Sequence, residues 1–176
     1  YDVHVEVPPG YTVAATGVLN SKTTEGGMVD WHFQAENVID FAWFTSPAFR
    51  HEKYTGVVAG QNKVDLNVYY DPRDSVLWSK AGVYAARALE FYSDWLGAYP
   101  YQQMSVVSAP LSAGGGMEYP MVAQFGYMED SASLDLVIAH EIGHTWLYGI
   151  LANNERAHPW MDEGLNTFLE YLTETS

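Results

Sequence analysis

Cysteine is absent from the 176 residues, which excludes a disulfide framework and any metal site built on thiolates. Basic residues are scarce: 8 Lys and Arg stand against 22 Asp and Glu, a formal net charge of −14. A field of that sign repels phosphate backbones, so nucleic acid is excluded as a partner and an anionic membrane surface is equally disfavoured. No run reaches the roughly 18 consecutive apolar residues of a membrane span. Charged residues make up only 17% of the chain, whereas 48% is hydrophobic and 15% aromatic. That balance excludes a disordered chain and supplies a sizeable core. Internal repeats and low-complexity tracts are missing, and the glycines at 114–116 lack the Lys-Ser or Lys-Thr that follows a nucleotide-binding loop.

Chemistry is concentrated in the run His140-Glu141-Ile142-Gly143-His144, followed after eighteen residues by Glu163 in Trp160-Met161-Asp162-Glu163-Gly164. Residues four apart on a helix share a face, so His140 and His144 can direct two imidazoles at one zinc ion. A catalytic zinc takes three protein ligands and leaves one position for water. Glu163 is the candidate third ligand. Glu141, rotated away from the His pair, reaches that water and is placed to act as general base. Leu134, Val137, Ile138, Ile142, Thr145 and Trp146 recur at threes and fours, predicting a helix over 133–148 that Gly149 ends. Pro159 suits the first turn of a second helix running towards Tyr171. Glu170, seven residues after Glu163, returns to the same face, where it can accept a hydrogen bond from the free ring nitrogen of a ligating His. A His-Glu-His cluster among Ile, Leu and Trp is costly to bury unless a metal satisfies it, which argues against a purely structural role.

A second informative stretch is Gly114-Gly115-Gly116-Met117-Glu118-Tyr119-Pro120, after a strand over 104–109. The three glycines, Gly114, Gly115 and Gly116, let the backbone approach a bound peptide closely, and Gly115, Gly116 and Met117 are candidate substrate-binding positions. Glu118 adds a fixed negative charge able to pair with a free amino terminus. Read alone, the stretch is equally a flexible glycine loop beside an exposed carboxylate.

The pairing of Gly116-Met117-Glu118 with His140-Glu141-x-x-His144 and the eighteen-residue gap to Glu163 resembles the gluzincin aminopeptidases of the aminopeptidase N type, to which leukotriene hydrolase is related. The resemblance implies one zinc ion held by His140, His144 and Glu163, with Glu141 as base, Glu118 as amino-terminus anchor and Glu170 behind the ligands. It implies peptides with a free amino terminus as substrates. Tyr119 stands where the family motif has Asn, and Asp162 where Asn is common. The family's oxyanion-stabilising tyrosine lies well downstream of the third ligand, whereas this chain ends thirteen residues after Glu163. The expectation is a piece of a larger enzyme, with little turnover unless joined to the rest of the parent. Two other readings stay open: an endopeptidase or epoxide hydrolase on the same scaffold, and a non-catalytic binding module.

The expected fold is α+β: an antiparallel β-domain remnant over 1–62, then the amino-terminal half of a thermolysin-like catalytic domain over 63–176. Alternation at Val3, Val5 and Val7, at Val13 and Ala15, and at Val29, Trp31 and Phe33 marks strands, with further strands at 41–44, 54–59 and 64–70. A long helix capped by Asp74 or Ser75 carries Leu77, Ala81, Tyr84, Ala88, Phe91 and Trp95 as its core stripe. Asp2, His4, His32, His51 and His158 have no partner at metal-ligand spacing along the chain.

Overall fold

A computed structural model describes residues 1–112 and 114–175, excluding the side chains of residues 174 and 175. The amino-terminal part is antiparallel. Strands β1 (Asp2–Val7), β3 (Val18–Glu25) and β4 (Met28–Gln34) form a sheet in the order β1-β4-β3, and β2 (Thr12–Ala15) pairs with β5 (Trp43–Ser46). Val5, Val7, Val13, Ala15, Val29, Trp31 and Phe33 close a small core between them. In β1 and β4 alternation does this, with apolar residues inward and more exposed ones between them, whereas in β2 the residue between Val13 and Ala15 is Ala14, buried in a separate cluster. Strand β3 escapes a pattern search because seven of its eight residues are exposed; it is held by its pairing with β4.

The second part is a five-stranded mixed sheet in the order β6-β7-β8-β10-β9, from β6 (Arg50–Ala59), β7 (Asn62–Tyr70), β8 (Gln103–Ser108), β9 (Gly116–Met117) and β10 (Val122–Phe125). Strands β7, β8 and β10 run parallel, and β6 and β9 are antiparallel to their neighbours. The expected boundary at residue 62 falls in the tight turn of the β6-β7 hairpin, so β6 already belongs to this sheet. We keep the division at 62 as a proposal about organisation.

Helices α1 (Ser75–Trp78), α2 (Ala81–Leu96) and α3 (Ser131–His144), with a last helix α4 (Leu165–Thr175), complete the fold. The long helix expected from residue 74 is interrupted at Ser79-Lys80, and Asp71, not Asp74 or Ser75, caps the preceding 3-10 turn through the Arg73 amide. Its buried stripe also differs. Ala81, Ala85, Ala88, Leu89 and Tyr92 face the core, whereas Trp95 is 60% exposed. Small residues here let α2 approach α3 closely, and Arg87 reaches Asp135 at 2.6 Å across the pair.

The two parts are joined by a polar latch. The buried Gln103 amide donates to the carbonyls of Ala15, Gly17 and Met121 at 3.3, 2.9 and 3.1 Å. Burial without partners would make that amide costly, so these bonds fix where the β-part meets the sheet.

Candidate metal centre

Helix α3 starts at Asp130, whose side chain accepts from the Ser133 amide at 2.8 Å, satisfying one of the donors that a helix start leaves free. The helix does not end at Gly149. It passes into a π-helical turn, Thr145–Ile150, and only then leaves the helical path. Trp146 on this turn is buried and donates its indole N–H to the Gly97 carbonyl at 2.8 Å. After a loop, Pro159 opens a second π-helical turn, Trp160–Gly164, that continues into α4.

Gly143 is where the two helical segments and α2 meet. A Cβ there would collide with Asn166 Oδ1 and lie 2.6 Å from the Tyr92 ring and hydroxyl. Asn166, fully buried, donates to the His140 carbonyl at 2.7 Å and so fastens α4 to the turn that carries the first His.

This packing brings the three expected ligands together. His140 Nε2 lies 3.1 Å from His144 Nε2 and 3.1 Å from Glu163 Oε2, and His144 Nε2 lies 3.7 Å from the same oxygen. Ligand atoms around a tetrahedral zinc, at about 2.0–2.1 Å from the metal, sit roughly 3.3 Å apart. The triangle therefore has the dimensions of a zinc ligand set. His140 Nδ1 lies 2.7 Å from Glu170 Oε2; this partner assigns the proton to Nδ1 and leaves Nε2 as the lone-pair donor. His144 Nδ1 lies 2.5 Å from Asp162 Oδ1, a close pairing off the line of a hydrogen bond. Asp162, 3% exposed, was visible in the sequence only as a departure from Asn. Its role beside His144, like that of Asn166, depends on how α4 docks.

Glu141 is 6% exposed and its Oε2 has no hydrogen-bond partner among the described residues. It is brought within 4.8 Å of both His144 and Glu118. Glu118 also comes within that distance of Glu155 and Asp162; no periodicity in the sequence pointed to Glu155. Strand β9, the last of its sheet, runs directly over Glu141. A Cβ on Gly116 would lie 2.5 Å from the Glu141 Cγ and Cδ. Gly114 and Gly115 have φ of +72° and +69°, a left-handed path that glycine takes without strain. Tyr119 packs against the cluster of Ala14, Tyr69, Val107 and Val122, its ring 6.2 Å from that of Phe44.

Charge in this cleft is tuned by burial. Burial, opposed by the charge of His140 and reinforced by Glu118, Glu163 and Asp162, pushes the Glu141 carboxyl up to about 8. Burial also raises Glu118 to about 7, against the hydrogen bond of its own amide and with help from Asp162, Glu155 and Glu163. It lowers His144 to about 3, with the His140 charge adding to it, so that imidazole is neutral and available as a ligand. Burial lowers His140 as well, but is outweighed by the Glu170 hydrogen bond and by the charges of Glu141, Glu170 and Glu163, which raise it to about 9 in the metal-free protein.

A His-x-x-x-His helix and a glutamate from a second helix, set beside a mixed sheet whose edge strand covers the intervening glutamate, have the build of a metallopeptidase. The Peptidase family M1 domain matches residues 83–176, and the chain belongs to that family. Aminopeptidase M1-C of Oryza sativa subsp. japonica is 24% identical over 188 aligned positions, spanning 100% of this chain and 21% of the rice protein. Leukotriene A-4 hydrolase of Xenopus laevis is 32% identical over 87, spanning 48% of this chain and 14% of that protein. The crystal structure of an M1 zinc metallopeptidase from Deinococcus radiodurans superposes with a TM-score of 0.77 at 21% identity, over 96% of this chain and 39% of that one. It shares the fold. The chain thus spans well under half the length of these relatives.

Proposed function

We propose that this chain forms part of a larger zinc aminopeptidase that removes the amino-terminal residue of peptides. The observation that carries the reading is the placement of Glu118 within 4.8 Å of Glu141 and His144. That spacing sets an amine anchor one residue's reach from the ligand triangle. Membership of the M1 family supports the metallopeptidase class, and the short span relative to its relatives supports the larger enzyme.

His140, His144 and Glu163 would hold zinc, with Glu170 and Asp162 orienting the two rings from behind. The bound ion supplies Lewis-acid polarisation of the scissile carbonyl and of water. Glu118 and its acidic neighbours hold the substrate ammonium and so fix which peptide bond is presented. The backbone of Gly115 and Gly116, bare of side chains, runs beside the peptide, and Met117 continues that edge strand. Glu141 takes a proton from the attacking water and delivers it to the departing amine. A base whose carboxyl sits near 8 before the metal is present returns that proton readily.

The test compares hydrolysis of an amino-acid anilide bearing a free amine with its N-acetylated twin by the parent enzyme, with and without a zinc chelator. Chelator-sensitive cleavage of the free amine alone is expected. Equal cleavage of both would keep the metal chemistry and remove Glu118 as the amine anchor, in favour of an endopeptidase.

A further inference from the structure

The outer face of the β1-β4-β3 sheet gathers residues that are scattered in sequence. His4 and His32 are direct cross-strand partners, and their rings stack with centroids 4.2 Å apart and planes 5° from parallel. Asp2, two residues before His4 and on the same face, lies with Oδ1 2.8 Å from His32 Nε2. One ligand atom from each of Asp2, His4 and His32 falls within 4.8 Å of the other two. Linear spacing hid this arrangement, because β1 and β4 are brought together only by the sheet.

The surroundings are those of a ligand set and not only of two ion pairs. His4 Nδ1 lies 2.8 Å from Asp30 Oδ2, which assigns the proton to Nδ1 and presents Nε2 as a lone-pair donor with no other hydrogen bond among the described residues. Gln34 donates to the second oxygen of Asp2 at 2.9 Å and itself accepts from Asn20 at 2.6 Å, so the Asp2 carboxylate is oriented by a two-link chain. Gln34 first, then His32, hold Asp2 below the usual carboxylate range. Ligand atoms on a tetrahedral ion lie roughly 3.3 Å apart. The 2.8 Å between Asp2 and His32 therefore needs only slight opening. The side chains of His4, 57% exposed, and Asp2, 61% exposed, have room on the solvent side for the small shifts this requires, while His32 is only 20% exposed.

We propose that Asp2, His4 and His32 form a second divalent-metal site, separate from the His140 centre, on the solvent face of the amino-terminal sheet. Two imidazoles and one carboxylate select a borderline transition ion such as zinc, nickel or copper(II) over calcium or magnesium, which prefer oxygen ligands. Water completes the coordination.

The test uses this chain, stripped with a chelator and dialysed against low micromolar free zinc, with bound metal counted by elemental analysis. Wild type should hold one more equivalent than either His4→Gln or His32→Gln, and the difference should persist when Glu163→Ala has disabled the other centre. His4→Gln changes an exposed side chain and leaves the fold intact, so unfolding cannot mimic the loss. With copper(II) as probe, electron paramagnetic resonance should show nitrogen coupling that disappears in the same variant, and affinity for the second equivalent should fall about tenfold or more. Equal metal uptake by wild type and both variants would overturn the site and leave the His pair as surface ion pairs.

Discussion

Replacing Glu141 by Gln separates the chemical use of this residue from what it does to the fold. The side chain is 6% exposed, and one of its oxygens has no hydrogen-bond partner among the described residues. In the metal-free protein its carboxyl is raised from 4.5 to about 8, chiefly by burial. Below the lower value the group is protonated in folded and unfolded chains alike, and folding carries no penalty. Between the two values the unfolded chain has released a proton that the folded chain keeps, so stability falls as pH rises through this window. At about 1.4 kcal/mol per pH unit, the full span amounts to about 4–5 kcal/mol. Water entry and relaxation around the carboxyl reduce the observable part to about 2–4 kcal/mol. Gln has no proton to lose. Urea denaturation of both chelated proteins should therefore give similar stabilities near the ordinary carboxylate range, and a variant more stable by that amount at pH about 8. In the parent enzyme the same substitution should abolish peptide hydrolysis while zinc content stays near that of wild type. Parallel stability profiles across the window would show that Glu141 is ionised and solvated in the fold, and the argument from burial would fail.

Three other outcomes follow from the geometry. Glu163→Ala should weaken zinc binding severely, read by competition with a chromogenic chelator; unchanged affinity would remove Glu163 from the ligand set. Glu170→Gln, which leaves a hydrogen-bond partner for His140 but removes its charge, should lower zinc affinity by about 10–100-fold with the melting temperature little changed, and equal affinity would contradict its role behind the ligand. Gly143→Ala should destabilise the fold by about 1–3 kcal/mol, because its Cβ meets Tyr92 and Asn166; a melting curve matching that of wild type would mean that α4 docks differently.

The His140-His144 pair is legible because helical spacing is a local property: four residues make about one turn, so the two share a face whatever surrounds them. Glu163 and Glu170 are legible through the motif spacing that the chain shares with its family, and the contact of either with the His pair still depends on how the second helical segment docks. Asp162 and Asn166 contact α3 only through the docking of α4, and Glu155 reaches Glu118 through a loop, so none of the three has a linear signature. On α2, Trp95 lies outside the covered stripe because aromatic residues at helical spacing mark an amphipathic face without saying which edge is covered. Glycine commonly ends helices, but the π-helical winding carries the chain past Gly149. Strand β3 and the His4-His32 pair leave no linear pattern for a related reason, since both owe their place to a partner strand.

Gly116 and Glu141 are twenty-five positions apart in the chain, yet the missing side chain of one is the space occupied by the carboxylate of the other. The edge strand and the His-Glu helix therefore behave as a single replaceable part. Transplanting the helix alone into another sheet would leave the glutamate without its seat, and elaborating the strand with any larger residue would push the glutamate aside. Along this strand Met117 is open to substitution, whereas Gly116 is not.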